Sequence, residues 1–295
     1  MEQKKIPFDL QVSAKEDSLH IEERLEEYTY SQAPTFADEE EEFSKKITDK
    51  DGNIIAGCNA IISRWGYVDV DTLCVAEPYR RQGLGSALLK EVERVAKEKG
   101  CRFAALGTFD FQARGLYEKH GYKVWATVEN IAGHENYGMS KRLDIDVPTR
   151  EFKKIEYEIQ DGTEEDAETI ENMLEDYNEP FFPEDDEYVK CNRKILDKDG
   201  NIIAGIIAGY YETSRVGELF ELWVEEPYRN QGLGSFLVEN FEREMKEKDA
   251  HQIFVEDYVY DWNVDFFKHR GYVPSGGFQD IPKGHCSYYD LVKEF

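Results

Sequence analysis

The sequence predicts an α/β protein of two tandem domains, each a mixed twisted sheet flanked by helices. Three observations predict it. A length of 295 residues exceeds one ordinary domain of ~100–200 residues. Three motifs recur in the same order: DKDGNIIAG at 49–57 and 197–205, EPYR at 77–80 and 226–229, QGLGS at 82–86 and 231–235. Their offsets, 148 and then 149, are close to half the chain, which marks a duplicated domain and not a short-period solenoid. Strand-like alternation and helical periodicity also follow one another in both halves. The domains are therefore expected at 1–147 and 148–295, with a linker near 144–150, where Pro148 interrupts a charged stretch.

Phe8, Leu10 and Val12 alternate and predict a first strand. Ser13 is a candidate cap for a helix carrying Ile21, Leu25 and Tyr28 on one face. In the second half Thr163 and Asp166 have capping-box spacing ahead of Ile170, Met173, Leu174 and Tyr177. Asp51-Gly52 and Asp199-Gly200 lie between apolar runs and signal hairpins. Strands are expected at 53–63 and 67–75, and again at 201–211 and 217–224. A helix follows within 77–100, its inner stripe at Leu88, Val92 and Val95. A buried strand at 102–108, a short helix at 113–120 ending at Gly121, and strands at 122–128 and 137–143 complete the repeat.

Composition excludes several classes. With 62 Asp+Glu against 36 Lys+Arg the net charge is −26, which repels nucleic acid and anionic membranes. Hydrophobic residues at 40% and aromatics at 13% are too abundant for a disordered acidic chain. The longest apolar stretch, Ile202 to Tyr211, is short of the ~20 residues of a membrane helix, and the first residues lack a signal-peptide core. Cys58, Cys74, Cys101, Cys191 and Cys286 form no CxxC pair, which fits a reducing cytoplasm and offers no zinc signature. No metal is expected. Residues 1–147 carry 20 basic and 27 acidic residues, net −7; residues 148–295 carry 16 and 35, net −19. Much of that excess lies in 163–188, readable as a solvated surface or as a mouth for cations.

A strand, a glycine turn and a helix together form an anion-binding arrangement. The first repeat has it as Leu73-Cys74-Val75, then Arg80-Arg81-Gln82-Gly83-Leu84-Gly85-Ser86. The second has Leu222-Trp223-Val224, then Arg229-Asn230-Gln231-Gly232-Leu233-Gly234-Ser235. A Walker loop is absent, and Leu88 stands where a dinucleotide fingerprint needs its third glycine. The pattern resembles the pyrophosphate loop, R/Q-x-x-G-x-G/A, of the GNAT superfamily of N-acyltransferases. ALGTFDFQARGLYEKHGY at 105–122 resembles that family's late strand and its tyrosine-bearing helix. Residues 132–137 and 282–288 resemble the GH-x-x-Y ending of one bacterial subgroup. The resemblance covers nearly all of both halves.

The resemblance implies acetyl-CoA as cofactor and direct attack by a substrate amine. It implies that the backbone of Leu73 to Val75 holds the pantetheine arm and that amides from Gln82 to Ser86 hold the pyrophosphate, with Leu222–Val224 and Gln231–Ser235 as counterparts. It assigns Tyr117 as proton donor to the departing thiolate. Carboxylates on or near the fourth strand, Asp69 or Asp71 in one half and Glu218 or Glu221 in the other, are candidates for taking the amine's proton; Glu221, between Phe220 and Leu222, is favoured in its half. Asp69 and Asp71, two apart, are expected on one sheet face. The second half departs from the pattern, since aligning Gly121 with Gly271 puts Phe267 at the place of Tyr117. Tyr258 and Tyr260 are alternative donors there.

His134 and His285 follow glycines and are read as loop-fixing groups. Tyr177, Phe181, Phe182 and Trp223 are read as core or cleft wall. The expected partner is a small-molecule amine, and the chain is expected to be a monomer with a pseudo-dimeric domain pair or a homodimer. A rival reading is an acyl-CoA-binding sensor or scaffold in which one or both halves are non-catalytic.

Overall fold

The computed structural model describes residues 7–32, 35–145, 154–182, 187–259, 261–279 and 287–295. The first repeat runs β1 (Asp9–Val12), α1 (Lys15–Gln32), β2 (Glu41–Thr48), β3 (Ile54–Ile62), β4 (Tyr67–Val75), α2 (Leu84–Glu98), β5 (Phe103–Phe109), α3 (Arg114–Lys119), β6 (Lys123–Ile131) and β7 (His134–Arg142). The second runs β8 (Gln160–Asp161), α4 (Glu164–Asn178), β9 (Tyr188–Lys190), β10 (Arg193–Leu196), β11 (Ile202–Tyr211), β12 (Val216–Val224), α5 (Leu233–Glu247), β13 (Gln252–Val259), α6 (Asp261–Lys268), β14 (Val273–Gln279) and β15 (Ser287–Glu294).

Local chemistry accounts for most boundaries. Asp49 Oδ1 accepts from the amides of Asp51 and Asn53, and Gly52 takes φ +88°, so DKDGN closes the β2–β3 hairpin. Asp197, Asp199 and Asn201 repeat those bonds beside Gly200 at φ +85°. Thr163 and Asp166 form the expected capping box of α4. Helix α1 is capped otherwise than expected. Asp17 accepts the amide of Ala14 at 2.7 Å, and the buried Ser13 hydroxyl has no partner. Asp17 thus does from the third helical position what Ser13 was expected to do. The inner stripe of α2 is Leu88, Leu89, Val92 and Ala96, with Val95 only half-buried.

The strands form two sheets, and their order departs from a simple tandem. One sheet runs β6-β7-β5-β4-β3-β2-β8, ending on a strand of the second repeat. The other runs β1-β10-β11-β12-β13-β15-β14, with β9 also on β11, and begins on a strand of the first. The compact units follow the sheets. One, called here the first unit, comprises 35–184 and 278–284; the second comprises 1–34, 185–277 and 285–295. The sequence repeats divide at 147/148, but each unit takes its leading strand and helix from the other repeat. The linker region at 146–150 lies outside the described residues.

The exchanged helices dock by the same contacts. In the first unit Ile170 of α4 is fully buried over Gly57 of β3, where a Cβ would stand 2.3 Å from its Cδ1 and Cγ1. In the second, Ile21 of α1 covers Gly205 of β11, where the corresponding gap to Cδ1 is 2.1 Å. A glycine inside a strand here marks a close approach and not a turn. Lys46 pairs with Asp166 at 2.6 Å in one unit, and Lys194 with Asp17 at 2.6 Å in the other. The Lys46 ammonium and the Thr163 bonds hold the Asp166 carboxyl down to about 2.

The exchange also redistributes charge. The first unit holds 20 basic and 33 acidic residues, net −13; the second holds 16 and 29, again −13. The acidity of 163–182 therefore belongs to the unit that carries the first glycine loop.

Gly57→Ala should overpack this contact and destabilise by ~1–3 kcal/mol, and Ile170→Ala alone by ~2–5 kcal/mol. The double variant should be no less stable than Ile170→Ala, because the missing isoleucine leaves room for the new methyl. Chemical denaturation of the four proteins measures this, and strictly additive losses would contradict the docking of α4 on β3.

Candidate active site

The two glycine loops share one backbone. Arg81 and Asn230 adopt φ +62° and +60°, costly for side-chain-bearing residues, and Gly83 and Gly232 follow at +93° and +90°. Each loop is braced by its own side chains. Arg80 Nε donates to the Val75 carbonyl at 2.9 Å and Gln82 Nε2 to the Pro78 carbonyl at 3.2 Å. Arg229 and Gln231 do the same to Val224 and Pro227. Arg80 also lies over the Tyr177 ring at 4.7 Å, and Arg229 over Tyr28 at 4.0 Å.

Gly83 caps α2 without a side-chain bond, and the first helical bond runs from the Ala87 amide to the Gly83 carbonyl. The amides of Leu84, Gly85 and Ser86 thus precede the helical ladder, at the positive end of the helix. A Cβ on Gly85 would enter the gap between Val75 and Leu116, 3.6 and 3.5 Å away. On Gly234 it would enter the gap between Val224, Leu222 and Phe266. The unbonded amides at the start of each helix therefore fit an anion such as a pyrophosphate.

The strand beside each loop has a free edge. Strands β4 and β5 pair in parallel over Tyr67–Asp69 and Phe103–Ala105 only. Beyond that the ladder ends, and the edge of β4 from Val70 to Val75, including Leu73 and Cys74, has no strand partner on the β5 side. Strands β12 and β13 pair over Val216–Leu219 and Gln252–Val255, which leaves Leu222–Val224 in the same position. A register shift opposite Asn59 and Ile61 puts an extra residue into β4 between Asp69 and Thr72.

That bulge changes the expectation for the two aspartates. Asp69 is half-buried and Asp71 exposed, with the Thr72 hydroxyl donating to Asp71 at 2.9 Å. They do not share an environment as uninterrupted alternation implies. Tyr117 lies on α3 against this core, 6% exposed, its ring edge-on to Tyr122 at 5.9 Å. Burial, with Cys58 and Cys74 near, pushes its phenol above the usual tyrosine range, so it keeps its proton at neutral pH.

Phe267 occupies the same place in the second unit. It is 4% exposed and edge-on to Tyr272 at 5.3 Å, and its carbonyl accepts from the Tyr272 amide as Tyr117 accepts from Tyr122. The ring is kept and the hydroxyl lost. Tyr260 and His285, and the side chain of Tyr258, lie outside the described residues. Two features here escaped the sequence reading. Arg270, aligned with His120, donates to Ser235 Oγ of the glycine loop and lies 3.7 Å over Phe266. Glu22 and Glu26 of α1, a first-repeat helix, act on Glu221.

Glu221 is half-buried, and its Oε2 has no hydrogen-bond partner. Burial, then the Glu22 and Glu26 carboxylates, push it up to about 7. Trp223, two residues on, is buried, 3% exposed and edge-on to His20 at 6.2 Å. Because the folded chain holds the Glu221 proton longer than the unfolded chain, stability falls as pH rises from the ordinary glutamate range through about 7. Glu221→Gln should therefore raise the melting temperature at pH 8 and change it little at pH 4. An equal effect at both pH values would contradict the raised pKa.

Comparison with known proteins agrees with this geometry. The acetyltransferase (GNAT) family profile matches residues 10–122 and again 156–272. A blasticidin-S acetyltransferase of Streptomyces morookaense is 39% identical over 66 residues, 22% of this chain and 48% of that protein. An uncharacterized N-acetyltransferase, YjcF, of Bacillus subtilis (strain 168) is 31% identical over 105 residues, 35% of this chain and 74% of that one. The chain thus spans about half the length of the first of these relatives. A crystal structure of an acetyltransferase from Bacillus cereus ATCC 14579 is 33% identical, with 47% of this chain and 97% of that one aligned at a TM-score of 0.42. Among the described residues no helix is long and apolar enough to cross a membrane. With the profile matched twice over most of its length, the chain belongs to the GNAT acetyltransferase family and carries that domain in tandem.

Proposed function

We propose that the first unit transfers the acetyl group of acetyl-CoA to the primary amine of a small cationic acceptor, and that the second binds the same cofactor with little chemistry of its own. One observation carries the asymmetry: Tyr117 and Phe267 fill equivalent places beside equivalent glycine loops. Acetyl-CoA, when bound, supplies a thioester activated toward an amine. The amides from Gln82 to Ser86 would hold its pyrophosphate, and the open edge at Leu73–Val75 its pantetheine amides. Tyr117 would give its proton to the departing sulfur; a protonated phenol in a dry site is suited to that. The amine's own proton passes to Asp69 or Asp71, directly or through water. Phe267 has no proton to give, which favours a binding role for the second unit. Its Glu221 and glycine loop remain suited to an ammonium and a pyrophosphate. The four described cysteines are free and buried, which fits the cytoplasm.

Tyr117→Phe should lower kcat by ~10²–10⁴-fold with little change in the KM for acetyl-CoA. Turnover near normal would move the reaction to the second unit or make Tyr117 structural. Gly85→Ala meets only ordinary contacts in the free chain, so its melting temperature should hold while the shift induced by CoA shrinks. An undiminished shift, with Gly234 also replaced, would exclude the loops as the binding site. The net charge of −13 on each unit supports a cationic acceptor. The acceptor's kcat/KM should fall between 0.1 and 1 M salt as the Debye length drops from ~10 to ~3 Å. Indifference to salt would leave the acidity as surface.

A further inference from the structure

A cluster at the rim of β5 is not accounted for by cofactor binding. The β6–β7 turn brings His134 beside Asp110, just past the end of β5, with Nδ1 2.9 Å from Oδ1. The Asp110 amide donates to the Glu135 carbonyl at 2.9 Å and fixes the pair. An ionised carboxylate only accepts, so the neutral imidazole carries its proton on Nδ1 and presents an accepting lone pair at Nε2.

Aromatic rings from both repeats wall this histidine. Phe111 meets it edge-on at 4.8 Å, and Phe181 and Phe182, which follow α4, stand at 5.9 and 6.3 Å. Phe181 stacks on Phe111 at 4.0 Å and 2°, and Phe109 on its ring at 5.3 Å and 8°. The wall is tied down by Tyr177, whose hydroxyl donates to the Phe111 carbonyl at 3.0 Å, and by Gln112, which donates to Asn178 at 2.8 Å. The rings are half-buried and not sealed in the core.

The position matters as much as the chemistry. The cluster stands at the carboxyl end of β5, beyond the end of its ladder with β4, which is where α/β sheets admit ligands. Helix α3, with Tyr117, begins four residues after Asp110. We infer that His134, oriented by Asp110 and walled by Phe111, Phe181 and Phe182, receives the acceptor amine at the Tyr117 site and selects an amine carried on an apolar or aromatic body. This rests on the transferase reading above. The amine N–H donates to Nε2, and the apolar body lies along the rings, which also favour the cationic form of the amine before it reacts. A polyamine or aminosugar offers no such body.

The test is thiol release from acetyl-CoA with 2-phenylethylamine, benzylamine, spermidine and kanamycin. The two aromatic amines should have the higher kcat/KM. Asp110→Asn lets an amide N–H donate to Nδ1 and moves the ring proton to Nε2, so amine kcat/KM should fall at least tenfold while the acetyl-CoA KM holds. Asp110→Glu should recover much of it. Phe181→Ala should penalise the aromatic amines and spare spermidine. Preference for spermidine or kanamycin overturns the inference; so do variants that lower only the melting temperature. If the wild-type chain releases no thiol with any amine, the transferase reading fails separately. The inference is then decided by ¹⁵N-imidazole spectra of the CoA-bound chain: a His134 signal shifted by 2-phenylethylamine supports it, and an unmoved signal overturns it.

Discussion

The docking of an isoleucine into a glycine gap holds each half of this protein together. Ile170 over Gly57 and Ile21 over Gly205 bring a helix closer to the sheet than any side chain at the glycine would allow. A Lys–Asp pair fixes the helix start beside each contact. The placement of the side chains near each glycine loop follows. Seating α4 on β3 carries Tyr177, Phe181 and Phe182 to the rim of β5, next to residues of the first repeat. Seating α1 on β11 carries Glu22 and Glu26 toward Glu221. A shift of either helix along its axis would leave the glycine loops intact and disassemble what faces them.

The two sites have diverged where the fold permits it. Both keep the φ values, internal braces and free amides of the loop, because an anion held by backbone groups constrains the backbone. Tyr117 and Phe267 show the other case. The core asks only for a six-membered ring edge-on to the next tyrosine, and phenylalanine satisfies it. The second unit keeps the buried ring and lacks the hydroxyl. On the strand beside the loop the difference is one of charge, with Glu221 aligned to Thr72. The two units thus share the loop and differ in the polar groups beside it.

Local signals in the sequence were read correctly because local chemistry causes them. Asp-Gly made its hairpin through the Asp49 carboxylate, and Thr163 with Asp166 made its box. The glycine loop was legible because strand, Gly-x-Gly turn and helix recur in the same order in both halves. Long-range features were not. The bulge that separates Asp69 from Asp71 needs the register of the neighbouring strand. One local signal also misled: Asp17, and not Ser13, caps α1, because its carboxylate is the oxygen that reaches the Ala14 amide. The exchange was invisible for a deeper reason. Ile21 and Ile170, Asp17 and Asp166, Lys46 and Lys194, Gly57 and Gly205 are chemically identical pairs, so either helix satisfies either sheet.

That degeneracy also misdirects any electrostatic reading made along the chain. Divided by repeat, the charges are −7 and −19 and the second half alone looks built for cations. Divided by folded unit, they are −13 and −13, and the acidic helix α4 serves the unit that carries Tyr117. Fields act through space over about a Debye length, so the folded grouping is the one a diffusing acceptor meets. A change in residues 163–182 therefore acts on the first glycine-loop site, although it lies in the second repeat. The two repeats are separate as sequence and inseparable as folded units, since the helix docked on each sheet, α4 or α1, comes from the other repeat.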